Sequence, residues 1–247
     1  KIFIKEIFAK NSIIVSNSEI AKLYWNSRKV RKSLLIRNGF DIKSIKNTKG
    51  NPLPKDLEYF LNNSEFLVIA SRLSETSIHK RTELVISTFA KIIKKKTKLK
   101  LVICGDGPLS YIYKELVAKK KIKSKVFFTG FLKRNELWSV FHKASLFISL
   151  SKYEGMSNSL IEAGLCKAPL FLSKITTHLE VIPFEYAHYI DQYDQDSLSQ
   201  EIIKCLENKK KNSEKSILLS KMLEKYSSDY MIKSYLELYD RIYQNIF

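Results

Sequence analysis

The feature that most constrains the fold of this chain is an alternation of short apolar runs with amphipathic stretches. Seven runs rich in β-branched and aromatic residues are predicted strands, at 33–37, 66–70, 101–104, 126–129, 146–149, 170–172 and 188–190. Most are apolar throughout, as expected of strands that are buried on both faces of a parallel sheet.

Helical patterns lie between these runs, at 81–95, 110–120, 135–143, 159–166 and 198–208. In the first of them, Leu84, Val85, Phe89 and Ile92 recur at the helical period. Strand and helix in repetition predict an α/β fold with a doubly wound, Rossmann-like parallel sheet. Ligands of such sheets bind at the carboxyl ends of the strands, in the loops that lead into the helices.

The two ends of the chain differ from this pattern. Residues 1–38 hold a helix-like start, a predicted strand at 12–15, a helix that begins near Ser18, and the strand that runs towards Gly39. The polar stretch 40–64, which contains Pro52 and Pro54, is typical of a linker. Residues 229–247 form an amphipathic pattern that predicts a helix with Asp229 as its cap.

Charge and cysteine usage limit the partners and the compartment. Lys and Arg number 43 against 25 Asp and Glu, a net charge of +18, and lysines cluster between residues 91 and 125. A solvated helix face and contact with an anionic membrane surface both fit this cluster. Nucleic acid fits poorly, because arginines and aromatics are not interleaved with the lysines. Cys104, Cys166 and Cys205 are too scattered for a metal site or a disulfide framework, which favours a reducing, cytoplasmic compartment.

The first loop of interest follows the predicted strand 66–70. Arg72 comes directly after it, and Lys80 precedes the next helix. A guanidinium and an ammonium at the carboxyl end of a strand could clamp a diphosphate. Alternatively, the arginine caps strand carbonyls and the lysine lies at the surface.

The second loop carries Gly105, Gly107 and Pro108 after the strand 101–104. Two glycines permit a tight turn and a close approach of the backbone, and the proline can begin the next helix. A plain strand-to-helix turn explains the same residues.

The third loop spans 153–163 and follows the strand 146–149. Gly155 allows a tight turn, and Ser157 and Asn158 stand where the next helix begins, an anion-binding position. Glu154 and Glu162 are spaced to face one cleft, which suits a ligand with phosphate and hydroxyl groups. A solvated helix glutamate is the alternative for Glu162.

Taken in order, these segments resemble the carboxyl-terminal half of the family 4 retaining glycosyltransferases, which have the GT-B fold. The resemblance runs from residue 13 to 182. Its motifs are found at 14–16, 35–41, 71–73 with Lys80, 105–108, 128–131, 151–169 and 180–182. The two glutamates with seven residues between them are the signature of that superfamily. Three departures are Ser71 and Lys167 where the family usually has glycine, and a longer spacing between Arg72 and Lys80.

The resemblance implies roles for individual residues. Arg72 and Lys80 would hold the diphosphate of a nucleotide sugar and stabilise the leaving group, with Glu154 on the transferred sugar as the third catalytic residue. Glu162 would bind the ribose. The other implied donor-binding residues are Gly105, Gly107, Gly130, Phe131, Leu132, Gly155, Met156, Ser157 and Asn158, of which Gly130, Phe131 and Leu132 border the base. The family requires no metal or other cofactor.

The resemblance also implies a division of the chain. Residues 1–38 would be the end of an acceptor-binding domain, 39–64 an interdomain linker, 65–228 the nucleotide-sugar-binding domain, and 229–247 a helix that crosses back. The expected function is sugar transfer, with retention, to a saccharide or lipid-linked acceptor, in bacterial surface polysaccharide or lipopolysaccharide synthesis at the inner membrane face. A non-catalytic donor-binding module that needs a partner chain, and a GT-B nucleotide-sugar epimerase, are the alternatives.

Overall fold

The centre of the molecule is a parallel sheet of six strands, seen in a computed structural model that describes residues 12–28 and 32–244. The strands are β3 (Phe66–Ala70), β4 (Lys100–Cys104), β5 (Val126–Gly130), β6 (Leu146–Ser149), β7 (Leu170–Ser173) and β8 (His188–Ile190). The six apolar runs predicted for this region are confirmed to within one residue at each end. Nearly every residue of β3, β4, β6 and β7 is buried, which explains their continuous apolar sequence.

The order of the strands determines where a ligand can bind. Across the sheet the order is β5-β4-β3-β6-β7-β8, and every neighbouring pair is parallel. The chain therefore winds outwards from β3 in one direction and from β6 in the other. A crevice opens at the carboxyl ends of these two central strands, where the winding direction reverses. The doubly wound α/β prediction is confirmed.

Helices cover both faces of the sheet. They are α2 (Ile42–Asn47), α3 (Lys55–Leu61), α4 (Thr82–Ile92), α5 (Ser110–Lys119), α6 (Arg134–Lys143), α7 (Asn158–Leu165), α8 (Thr176–Leu179), α9 (Gln195–Glu207), α10 (Lys209–Leu223) and α11 (Ser228–Tyr243). One apolar cluster joins α4, α5 and α9 to the sheet, and a second joins α2, α3, α6, α7 and α10. Helices α4 and α9 pack on each other.

The stretch predicted as a linker is folded into the core. Its helices α2 and α3 bury Ile45, Leu57 and Leu61, which belong to the apolar cluster under α6 and α7. His142 of α6 bonds through Nε2 to the carbonyl of Ile45 at 3.0 Å. The polar composition of 40–64 reflects exposed helix faces, whereas its few apolar residues fix its position on the sheet domain.

Two features of the carboxyl-terminal region differ from the prediction. Helix α10 was not predicted, because lysine and serine dominate its sequence, yet Leu219 and Leu223 are fully buried. The last helix begins at Ser228, and its cap is Ser227, whose hydroxyl accepts from the N–H of Tyr230. The predicted cap, Asp229, lies inside the helix, and residues 245–247 lie outside the described residues.

A small unit precedes the sheet domain. It consists of β1 (Ile13–Ser16), α1 (Glu19–Ser27), β2 (Lys32–Leu35) and the following residues 36–38, with β1 and β2 paired in parallel. The strand predicted to end at Arg37 stops at Leu35, and the helix-like start predicted before residue 12 lies outside the described residues.

The small unit is tied to the sheet domain by an ion pair. Arg37 Nη1 lies 2.8 Å from Glu180 Oε2, and the two side chains are 17% and 11% exposed. The same carboxylate oxygen accepts the N–H of Glu19, the first residue of α1.

Within the described residues, no helix combines the length and apolarity needed to cross a bilayer.

Candidate functional site

A cleft of about 530 Å³ opens at the carboxyl ends of β3 and β6. Its walls come from the loops after β3, β4, β5 and β6, as the strand order requires. The lining residues are Ala70, Ser71, Arg72, Ser77, Lys80, Cys104, Gly105, Asp106, Phe131, Leu132, Leu137, Glu154, Met156, Ser157, Asn158 and Ser159.

Lys80 and Glu154 meet in this cleft. Lys80 Nζ lies 2.9 Å from Glu154 Oε1, and the hydroxyl of Ser151 donates to the same oxygen at 2.7 Å. The Lys80 side chain is 23% exposed and the Glu154 side chain 10%. Among the described residues, Glu154 Oε2 has no hydrogen-bond partner, so one face of the carboxylate remains available to hydroxyl groups of a ligand.

The turn before Lys80 explains its position. Residues Glu75–Lys80 form 3-10 turns, and the carbonyl of His79 accepts the N–H of Lys152 at 2.8 Å. The His79 ring stacks on Tyr153 with centroids 4.4 Å apart. The long spacing between Arg72 and Lys80 is therefore filled by a compact turn that lies against the loop of Glu154.

Arg72 supplies the second cation of the cleft. It is exposed and follows β3 directly, and within residues 12–28 and 32–244 no carboxylate pairs with it. Arg81, by contrast, is occupied: its guanidinium lies 3.9 Å from the centroid of the Tyr193 ring and donates to the carbonyl of Leu150. Of these two arginines, Arg72 is the one free to bind an anion in the cleft.

Gly105 and Gly107 bring two loops together. A Cβ atom on Gly105 would lie 1.9 Å from the carbonyl oxygen of Ser71, and one on Gly107 would lie 2.3 Å from that of Leu73. Their φ angles of +134° and +152° are ones that side chains disfavour. The N–H of Leu73 donates to the carbonyl of Asp106 at 2.9 Å, so this contact holds the Arg72 loop in place.

Asp106 lines the cleft and was not predicted as a site residue. Its carboxylate accepts the N–H of Gly107 at 2.8 Å and the hydroxyl of Ser110 at 2.9 Å. These hydrogen bonds lower the pKa of Asp106 below its ordinary value. The carboxylate is thus engaged within its own loop.

Helix α7 points its amino terminus at the cleft. Its cap, Ser157, makes no side-chain cap hydrogen bond, and Asn158 and Ser159 line the cleft. The first N–H groups of a helix have no partner within it, and the helix dipole favours an anion there. Phosphate oxygens fit this position.

Glu162 is not among the residues that line the cleft, although it lies one helical turn after Asn158, which does. Only 6% of the residue is exposed. Burial raises the pKa of Glu162, while the Trp138 indole and the charge of Arg134 oppose that rise.

Most of the other predicted site residues lie together. Arg72, Lys80 and Glu154 line the cleft, as do Gly105, Met156, Ser157, Asn158, Phe131 and Leu132. Gly107, Gly130 and Gly155 lie beside the walls rather than in them. Within the described part of the chain, no three His, Cys, Asp or Glu side chains cluster as metal ligands.

A buried histidine lies under the Glu154 loop. His178 is fully buried, and its Nδ1 bonds to the carbonyl of Ser173 at 2.9 Å while Nε2 lies 3.4 Å from the hydroxyl of Ser149. The Ser173 hydroxyl donates to the carbonyl of Ser151 at 2.7 Å. Burial lowers the pKa of His178, so the ring is neutral at pH 7.

Comparison with proteins of known sequence identifies a family of glycosyl transferases and several relatives. Residues 53–217 match the model of the family described as glycosyl transferases group 1. The uncharacterized glycosyltransferase MJ1059 of Methanocaldococcus jannaschii is 26% identical over 161 residues, 65% of this chain and 38% of that protein. N-acetylgalactosamine-N,N'-diacetylbacillosaminyl-diphospho-undecaprenol 4-alpha-N-acetylgalactosaminyltransferase of Campylobacter jejuni is 30% identical over 169 residues, 67% of this chain and 42% of that protein. The chain thus spans less than half the length of either relative.

Solved structures share the fold. The Anabaena protein Alr3699/HepE, crystallised with UDP and glucose, superposes with a TM-score of 0.81 at 17% identity, over 96% of this chain and 66% of that one. The family match covers more than half of this chain, and the superposition covers nearly all of it. This chain, with the GT-B glycosyltransferase fold, is a member of the glycosyl transferases group 1 family.

Proposed function

We propose that the cleft binds the nucleotide-diphosphate sugar that serves as donor in a glycosyl transfer. One observation carries this proposal: Arg72, Lys80, Glu154 and the amino terminus of α7 converge on a single cleft at the point where the strand order reverses. Two cations and a helix end suit a diphosphate, and a carboxylate with a free oxygen suits sugar hydroxyls.

In this proposal Lys80 changes partner when the donor binds. It is paired with Glu154 in the structure, and a diphosphate beside Arg72 would share its charge. As the bond between sugar and phosphate breaks, negative charge builds on the leaving diphosphate, and fixed cations stabilise it. Glu154 would then keep Ser151 as its donor and turn Oε2 to the transferred sugar.

The ribose and base would lie towards α6. Phe131 is 85% exposed at the rim and Leu132 lies beside it, so these two residues would border the base. Glu162 would accept the ribose hydroxyls, which requires the ribose to approach the buried Glu162 side chain near Trp138 and Arg134. Its raised pKa would fall again once hydroxyl donors replace the missing solvation.

We propose that donor binding requires no metal, since two cations and a helix end supply positive charge to the diphosphate. The expected result is that UDP affinity, measured by calorimetry, is the same with EDTA and with added Mg²⁺. A loss of binding in EDTA would contradict this part of the proposal.

For the complete protein, we propose transfer with retention of configuration to a saccharide or lipid-linked acceptor in surface polysaccharide synthesis. The relative from Campylobacter jejuni is named for transfer to a diphospho-undecaprenol-linked sugar, which supports such an acceptor class. A donor-binding module that works with a partner chain is the alternative. Turnover of the nucleotide sugar by this chain alone would favour a compact enzyme, and binding without turnover would favour the module.

The test of donor binding is a calorimetric titration of the 247-residue chain with UDP, GDP and ADP and one sugar conjugate of each, at two salt concentrations. Arg72→Ala and Lys80→Ala should each weaken diphosphate binding about tenfold, the loss of one charge-assisted hydrogen bond. The matched control is Lys152→Ala, which removes an exposed lysine outside the cleft walls. Equal effects of all three variants, or no binding of any nucleotide, would refute the proposal.

We also propose a cytoplasmic location on the inner face of a membrane, supported by a lysine-rich surface. We define this lysine edge by Lys94, Lys95, Lys98, Lys119, Lys120, Lys121 and Lys123, which are all exposed. It lies at the amino ends of β4 and β5, opposite the cleft, and two hydrogen bonds tie its halves together: Lys100 to Ser124 O and Lys125 to Thr97 O. Among the described residues no carboxylate pairs with these seven lysines, so their charge is available to anionic headgroups.

A further inference from the structure

Asn38 belongs to the segment that precedes the sheet domain, yet it contacts Met156, in the loop after β6, and Asn158, the first residue of α7. Its backbone N–H donates to Met156 Sδ at 3.2 Å, and its side-chain Nδ2 donates to Asn158 Oδ1 at 2.7 Å. Met156 and Asn158 both line the cleft. The two contacts join residues that are 118 and 120 positions apart in sequence.

The second contact continues a chain of amides. Asn17 Nδ2 donates to Asn38 Oδ1 across 3.5 Å, and Asn38 Nδ2 donates in turn to Asn158 Oδ1. The backbone carbonyl of Asn17 is held by Arg37, whose Nη1 donates to it at 3.0 Å and also pairs with Glu180. The first amide is therefore anchored, and the last one reaches the cleft.

The hydrogen bonds of this chain of amides run in one direction. A primary amide offers an acceptor oxygen and a donor nitrogen, so an Asn158 whose oxygen is engaged presents its nitrogen elsewhere. Within the described residues, Asn158 Nδ2 has no protein partner, and the residue is exposed in the cleft. The reverse direction would place Asn17 Nδ2 where Asn17 Oδ1 now lies, 3.4 Å from the position of a Cβ on Gly155.

We infer that Asn38 is a positioning residue that holds the Asn158 amide with its N–H₂ group towards the diphosphate of the donor. This inference rests on the proposed function of the cleft. The N–H₂ group adds a donor to the unpaired N–H groups of α7, whereas a rotated amide would oppose phosphate oxygens with a carbonyl. The contact also makes the donor site depend on the small unit before the sheet domain.

The test is the variant Asn38→Asp, titrated with UDP and with UMP. A carboxylate only accepts hydrogen bonds, so Asn158 must turn its nitrogen towards Asp and its carbonyl towards the cleft. UDP affinity should fall about tenfold, because a charge-assisted hydrogen bond is replaced by repulsion. UMP, which lacks the distal phosphate, should lose less. Asn38→Leu, which leaves the amide free to rotate, should cost less UDP affinity than Asn38→Asp.

The added charge of the aspartate is separated from its effect on Asn158 by a double-mutant cycle. In an Asn158→Ala background the same Asn38→Asp change can act through its charge alone, so its effect on UDP affinity should be smaller than in the wild-type background. Equal losses in the two backgrounds, or equal losses for UDP and UMP, would overturn the inference.

A further variant distinguishes a loss of UDP affinity from a loss of folding. Asn158→Asp changes an exposed residue at the first position of α7, where a carboxylate suits the helix dipole. It presents only acceptors to the cleft and should lower UDP affinity without lowering Tm. Unchanged UDP affinity in Asn158→Asp would overturn the inference while leaving the donor site intact. A wild-type chain that binds none of UDP, GDP and ADP would overturn both.

Discussion

At the scale of residues, the two glutamates of the signature occupy different environments. Glu154 reaches the cleft and holds one oxygen free, whereas Glu162 is buried and has a raised pKa. Glu154→Ala should weaken the binding of an intact nucleotide sugar about tenfold, the value of a hydrogen bond to a charged group, and leave the free diphosphate almost unchanged. Glu162→Ala should weaken both ligands equally through the ribose. Calorimetry with UDP and UDP-glucose measures these affinities. If both variants weakened UDP and UDP-glucose by the same factor, the roles assigned to Glu154 and Glu162 would be contradicted.

His178 should make stability depend on pH. Its pKa is lowered in the folded protein, so below the ordinary value of 6.5 the unfolded chain binds the proton more strongly. The free energy of unfolding should therefore fall as pH drops from 7 towards 5, by at most about 1.4 kcal/mol per pH unit. Glu154 and Lys80 are the charged groups that influence this ring, and they oppose each other.

The measurement is the thermal midpoint as a function of pH for wild type and for His178→Asn, which keeps a donor near the carbonyl of Ser173. Glu162, whose raised pKa acts in the opposite direction, is present in both proteins, so the difference between the two curves isolates His178. Parallel curves would show that the ring does not titrate in this range.

The sequence predicts Arg72, Gly105 and Glu154 because each follows a strand within five positions. It does not reveal Asn38, whose contact with Asn158 joins distant segments and leaves no local pattern. Asp106 is missed for another reason. Next to two glycines it resembles an ordinary turn residue, and only the structure shows that it lines the cleft.

At the scale of elements, the contact between the loops after β3 and β4 is steric. Gly105→Ala places a methyl group 1.9 Å from the carbonyl oxygen of Ser71 at a φ of +134°, so the loops must separate. The backbone conformation alone should cost about 1–3 kcal/mol of unfolding free energy. Gly50→Ala is the matched control, since no atom lies within 4 Å of its Cβ position. Denaturant unfolding of the two variants measures the contrast, and a stable Gly105→Ala protein would show that the loops need not touch.

The segment 39–64 should contribute to stability as a core element does. Leu57 is fully buried, and Leu57→Ala should cost about 2–5 kcal/mol of unfolding free energy, as large-to-small core changes do. Tyr59→Ala, on the 89% exposed side chain two residues later, should stay within about 0.5 kcal/mol of wild type. A Leu57→Ala protein as stable as the Tyr59→Ala protein would mean that the segment is only loosely attached.

The elements themselves are predictable where burial is two-sided. The bounds of β3 and β6 are predicted to the residue, because each is a short apolar run, as expected of a strand that is buried on both faces of a parallel sheet. Helix α10 escapes recognition because it buries only a narrow strip of side chains, including Leu219 and Leu223, beside Gly164. Prolines at 52 and 54 suggest a linker, although the second precedes a helix that packs in the core.

At the scale of the whole molecule, the lysine edge and the cleft lie at opposite edges of the sheet. Changing Lys119, Lys120 and Lys121 to Gln should weaken binding to phosphatidylserine vesicles by about 1 kcal/mol per lysine at low salt, and leave UDP affinity unchanged. The matched control changes Lys43, Lys49 and Lys233, which are exposed elsewhere, to Gln. Vesicle co-sedimentation measures both variants, and equal losses would show that net charge alone governs binding.

The strand order is a property of this scale that local patterns do not reveal. Periodicity identifies strands and helices one at a time, whereas the order depends on which distant strands pair, here β3 with β6. The resemblance to a known family implies a doubly wound sheet without giving that order, and the structure confirms the doubly wound fold.

The ion pair between Arg37 and Glu180 has a consequence for exchanging parts between related enzymes. A sheet domain cut before residue 39 and fused to a foreign partner would lose both groups that bind Glu180 Oε2, the guanidinium of Arg37 and the N–H of Glu19. It would also lose the hydrogen bond from Asn38 to Asn158. A functional chimera should therefore be joined upstream of β1, so that the small unit is inherited together with the cleft.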